Sequence, residues 1–178
     1  VDGKPAVIRR YWAHNMDLMS AVGGINSSAN DMSHWLLMLL ADGSYDGKAV
    51  LEKATVAAME TPQIPVPTDA GVGREIKAWM PGGDFYSYGL GLLMNDYAGH
   101  KLVWHAGDID GMASAMIMVP DQDLGIVVLT NMTESGSRFG VVMHILQQYL
   151  QQPASDVGAV LHAQMHKDEA ADRPADRK

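Results

Sequence analysis

The sequence predicts an α+β fold in which an antiparallel sheet of about four strands carries helices packed on it. Three observations lead there. Apolar residues recur at helical spacing in Ser27–Gly43 and again from Arg138 to Leu150. Between them stand four runs of strand character, YSYGLGLLMND, KLVWHAG, MASAMIMV and IVVLTN. Turn-forming segments separate these runs closely enough for consecutive strands to pair antiparallel, and apolar sheet faces require helices to cover them.

Taken in order, residues 1–24 are mixed and close at Gly23-Gly24. In SSANDMSHWLLMLLADG, Ser28 is placed to cap a helix, with Asp31 facing the free N–H groups of the first turn. Met32, Trp35, Leu36, Leu39 and Leu40 make one apolar face, and Gly43 ends the segment. A shorter helix is expected over Lys53–Glu60, stopped by Pro62. From Thr61 to Gly83 four prolines and several glycines interrupt any period, which predicts a long surface loop. MASAMIMV and IVVLTN lack clean alternation, so both of their faces should be covered. The helix over Arg138–Leu150 supplies a cover with Phe139, Val142, Met143, Leu146 and Leu150. One domain is therefore expected over residues 1–152, with a polar, weakly structured tail over 153–178.

With 13 basic and 21 acidic residues the net charge is −8, and no basic cluster runs along a face, which argues against nucleic acid and anionic membranes as partners. No apolar run reaches the ~18 residues of a membrane span, so a soluble chain is expected. There is no cysteine, hence no disulfide and no thiolate metal site. The first residue is Val1 rather than Met, so the natural start is expected to have been cut away, with room for a lost signal peptide.

The chemically informative stretch is LVWHAGDIDGMASAMIMVPDQDLGIVVLTN, Leu102–Asn131. His105-Ala106-Gly107 stands where a buried strand should carry only bulk. Alone, His105 reads as a half-buried strand histidine bonded to backbone, and Gly107 and Gly111 as marks of a bulge. His162 and His166 stand four apart near Glu169, but in the polar tail without apolar support, and no metal is expected there. No G-x-S-x-G elbow occurs, and no cofactor motif. Trp35, Trp79 and the methionines read as core. His14, His34, His100 and His144 have no partner that the sequence names.

GGINSSANDMSHWLLMLL, YGLGL, the block HAGDIDGMASAMIMVPDQDLGIVVLTN and the helix after it resemble, in that order, the C-terminal part of serine β-lactamase-like hydrolases. That group includes class C β-lactamases, D-alanyl-D-alanine carboxypeptidases and related esterases, and the resemblance covers about Ala21–Leu150. It implies the C-terminal part of the β-lactamase/transpeptidase-like fold. By position, it places His105-Ala106-Gly107 on the strand that walls the active site. His105 would donate to a substrate carboxylate or to the catalytic tyrosine. Gly107 would leave room for substrate backbone, and Asp108 would offer its N–H as an oxyanion donor. Asn131 would help bind a substrate carboxylate. Ala106 departs from the family's hydroxyl residue and removes one hydrogen bond to substrate.

The larger departure is the nucleophile. The family uses the serine of a Ser-x-x-Lys motif, yet Val1, Tyr45, Val50, Arg74, Ala98, Gln164 and Ala175 precede the lysines by three. Tyr-x-Asn is missing too, since Tyr11 and Asn15 have the wrong spacing. The resemblance therefore implies the C-terminal portion of an acyl-hydrolase, partnered by a missing N-terminal half, acting on a small-molecule acyl substrate in the complete protein, and inactive alone. A periplasmic or secreted location is implied as well. The alternative is a non-catalytic binding or assembly module that retains the fold. Either way Ile126–Asn131 should lack its neighbouring strand, leaving an edge for self-association unless Ala6–Tyr11 folds back onto it.

Overall fold

In the computed structural model of the chain, residues 20–109, 111–132, 136–161 and 163 are described. Helices α1 (Ser20–Gly23) and α2 (Ala29–Leu40) come first. Ser28 caps α2, its Oγ accepting from the Asp31 N–H at 3.1 Å. The small ribbon β1 (Ser44–Tyr45) and β2 (Lys48–Ala49) leads to α3 (Lys53–Met59). Strand β3 (Ile64–Pro65) and helix α4 (Gly71–Trp79) follow. Then come β4 (Tyr86–Tyr88), β5 (Leu93–Tyr97), β6 (His100–Ile109), β7 (Met112–Val119), β8 (Leu124–Thr130) and α5 (Ser137–Tyr149).

The main sheet has six strands rather than the four expected, in the order β3-β4-β5-β6-β7-β8, with each neighbouring pair antiparallel. YSYGLGLLMND, read as one strand, is two: Gly89 donates to the Leu92 carbonyl at 2.8 Å and Gly91 takes φ 81°, so the chain reverses there. The remaining strand, β3, contains Pro65, which an edge position tolerates.

The segment Thr61–Gly83 is not an irregular loop throughout, because α4 forms inside it. Ile76 and Met80 enter the core and Trp79 stacks on Phe139 at 5.3 Å, so burial overrides the poor propensity of the glycines. Gly73 is obligatory, since a Cβ there would sit 1.8 Å from the Pro67 carbonyl oxygen.

Helices cover both sheet faces, as the unbroken apolar runs required. Leu102, Trp104, Ile117, Val119 and Ile126 pack with α5 residues Phe139, Val142, Met143 and Leu146. On the other face Val103 and Met118 pack with Leu36, Met38 and Leu39 of α2 and Val56 of α3. Trp35 is a correction: it lies on the exposed side of α2, and Met38 takes a core place instead. His100 has a partner after all, its Nδ1 lying 2.6 Å from Asp121 Oδ2, and the His34 ring lies against Tyr45. Within the stretch read as a polar tail, residues 157–161 are helical and bury Val157 and Leu161. Ala6–Tyr11, His14, His162, His166 and Glu169 lie outside the described residues.

Candidate active site

Strand β6 is longer than its neighbour β5. The last pair of that ladder is Leu93 with Trp104, whereas pairing with β7 continues to Ile109. Among the described residues, the 105–109 half of β6 therefore has a strand on one side only.

Which main-chain groups face the open side follows from the turns. Tyr97 and His100 flank the two-residue loop Ala98-Gly99, so they exchange both hydrogen bonds. Alternation then turns the N–H and C=O of Leu102, Trp104, Ala106 and Asp108 towards the β5 side. The same alternation directs His105, Gly107 and Ile109 towards β7, with which they are in register. Beyond the end of β5, Ala106 and Asp108 thus present their N–H groups to the open side.

The side chains go to the two faces. His105 is half-buried, and the Tyr88 hydroxyl lies 3.4 Å from its Nε2 with the rings edge-on at 6.1 Å. Ala106 packs against the α5-side core. Gly107 is exposed and has ordinary extended backbone; a Cβ there would meet Ser114 Oγ at 3.0 Å. Asp108 is bound by Arg138 of α5, whose Nη1 donates to Oδ1 at 3.0 Å and whose Nη2 donates to Oδ2. The Arg138 side chain is only 3% exposed.

His105, Ala106, Gly107 and Asp108 therefore lie together on one strand end. Asn131 follows β8 at the same end of the sheet, but two strand spacings from β6, roughly 10 Å. Tyr88 and Arg138 are the neighbours that sequence reasoning missed. Tyr88 had a faint signal in YGLGL. Arg138 had a clearer one, as the lone Asp, Glu, Lys or Arg in SRFGVVMHILQQY, beside the buried Phe139.

The opposite end of the sheet differs in kind. A cavity of about 270 Å³ opens there between Leu39, Leu40, Val56, Ala57, Glu60 and Lys101. Burial raises the Glu60 carboxyl above its ordinary pKa, while Lys101 pulls the other way. The buried Tyr86 hydroxyl, likewise raised by burial, donates to the Met80 carbonyl at 2.7 Å. Among the described residues no three His, Asp or Glu side chains stand together as metal ligands, and no helix is long and apolar enough to cross a membrane.

A family model described as Beta-lactamase matches residues 2–149. The chain belongs to the β-lactamase family. Among solved structures, the octameric penicillin-binding protein homologue from Pyrococcus abyssi is similar at 25% identity with a TM-score of 0.56. That likeness covers 71% of this chain and 25% of the homologue, so the chain spans about a quarter of that relative's length. No curated protein matches. Membership fixes this β-lactamase-family chain as serine-hydrolase-like in fold and fits the six-stranded sheet flanked by helices.

Proposed function

We propose that this chain forms one wall of the active site of a serine acyl-hydrolase that opens a β-lactam, a D-Ala peptide or an ester through an acyl-serine intermediate. The observation that carries the reading is the open side of β6 beside His105–Ile109. Acyl transfer builds negative charge on a carbonyl oxygen, and preorganised N–H donors lower its energy; losing one typically costs ~10²–10³ in rate. The Asp108 N–H faces that side and serves as one such donor. Ala106 and Gly107 leave the strand low, so an acyl chain can lie along it. His105, with Tyr88 at its ring nitrogen, donates to the substrate carboxylate or to the catalytic tyrosine. Asn131 reaches the substrate carboxylate from across β7. The acylating serine lies outside this chain, because no Ser-x-x-Lys occurs in it.

That same missing motif favours a second reading, a binding or assembly module that keeps the fold without the chemistry. The octameric state of the Pyrococcus abyssi homologue supports self-association as part of it. Among the described residues β8 is one of the two outer strands of the sheet, the other being the two-residue β3, and Leu124–Thr130 carries no charge, so its edge can pair with a second copy.

Intact-mass spectrometry separates the two readings. After incubation with a penicillin or a fluorophosphonate, this chain should keep its mass, whereas the longer protein containing Ser-x-x-Lys should gain one adduct. A stoichiometric adduct on a serine of this chain would overturn the placement of the nucleophile. An unmodified longer protein would favour the module.

A further inference from the structure

An aspartate is an awkward residue at a proposed oxyanion donor. Its carboxylate is tethered to the N–H that must receive a developing negative charge, and like charges at such range repel even though the Asp108 side chain is about a third exposed. The fold answers this with one side chain. Asp108 turns towards α5, where both carboxylate oxygens are taken by the fork of Arg138.

The anchor is rigid. Arg138 lies over the Phe139 ring at 4.6 Å, and Phe139 is held between Trp79, stacked at 5.3 Å, and Trp104, edge-on at 6.0 Å. Trp104 is the last β6 residue paired with β5. The open half of the strand, paired among the described residues with β7 alone, is thus tied back through Asp108, Arg138 and Phe139 to the point where two-sided pairing ends.

On the acyl-hydrolase reading above, we infer that Arg138 is a positioning residue: it holds the Asp108 main chain in register for the oxyanion and cancels the carboxylate charge beside it. The guanidinium is buried and engaged by Asp108, so it acts through that residue.

The test uses the longer protein that carries the serine, a chromogenic ester, and active sites counted by the acylation burst. Arg138→Met should lower kcat per titrated site by at least about tenfold with KM held within about twofold, since the contact matters only as charge develops. Arg138→Met combined with Asp108→Asn should run faster than Arg138→Met alone, because no carboxylate charge is left to cancel. A wild-type kcat per titrated site in Arg138→Met overturns the inference, and so does a double variant no faster than the single one. Where Arg138→Met does not fold, Arg138→Lys replaces it. The lysine cannot reproduce the fork, so a kcat loss of about two- to fivefold at unchanged KM is expected, and a wild-type kcat again overturns the proposal. Absence of turnover in the wild type would instead defeat the acyl-hydrolase reading itself.

Discussion

The two halves of β6 share one strand and one neighbour, β7, yet they are built for opposite purposes. In the first half Leu102, Val103 and Trp104 are fully buried and covered on both faces, and Val103 and Trp104 are paired on both sides. In the second half the residues are His105, Ala106, Gly107, Asp108 and Ile109, none of them fully buried, and among the described residues no strand lies on the β5 side. Bulk stands where the strand is enclosed, and small or polar residues stand from His105 to Asp108 where it opens, before Ile109 at the turn. A strand can therefore hold the core at one end and leave a low, open surface at the other, provided the neighbouring hairpin turns back early enough. Here the Leu90-Gly91 turn sets that limit.

The sharpest way to break this comparison is to exchange the burdens. Trp104→Ala should cost about 3–5 kcal/mol in urea unfolding, through the cavity left against Phe139 and the loss of the 2.7 Å bond to Asn95 Oδ1. A loss under about 1 kcal/mol would mean that the enclosed half does not hold the sheet together. The outer edge offers the next effect. Leu129→Lys, at an exposed position of β8, should weaken any self-association at least about tenfold in sedimentation equilibrium. A wild-type chain that stays monomeric at about 100 μM would refute the edge as an interface, since ~8 kcal/mol of contact corresponds to a dissociation constant of ~1 μM.

His105→Ala tests the open half directly. On the acyl-hydrolase reading, in a longer protein that supplies the serine, it should reduce kcat/KM at least about tenfold, ~1.4 kcal/mol, while the melting temperature stays nearly unchanged. Full activity with lowered stability would make His105 a packing residue like its neighbours in the first half.

The smallest effect lies at the far end of β6. Because burial raises the Glu60 pKa, the group supports folding fully below its ordinary value of 4.5, and that support is lost as pH rises through the higher folded value. Glu60→Gln should accordingly stabilise the chain at neutral pH by no more than ~1 kcal/mol, with the gain vanishing below about pH 4.5 in thermal melts. An equal gain at pH 4 and pH 7 would assign it to packing rather than charge.

Much of the fold was legible because periodicity reports burial. The α2 cap at Ser28, the buried face of α5 and the doubly covered strands β7 and β8 were all readable from spacing. Helix α4 was not, since its glycines mask its period and only contact with Phe139 and the core justifies its helical state. Trp35 misled for the converse reason: its size suggests burial, but the helix turns Met38 inward instead. Of the candidate site, His105, Ala106, Gly107 and Asp108 could be named from one short motif. Tyr88 and Arg138 could not, because 17 and 30 residues of chain separate them from their partners.

By itself the sequence determined that apolar helices flank an antiparallel sheet, that a small, polar strand end interrupts an apolar block, and that no Ser-x-x-Lys is present. These are local facts of pattern and identity, written residue by residue. Only the tertiary structure decided that β5 ends at Leu93, opposite Trp104, while β6 runs on, which main-chain groups then face the opening, and that a buried arginine neutralises the aspartate beside them. Those depend on where distant turns end and which helix crosses which strand, and pairing and burial between remote segments settle them only once the whole chain has packed.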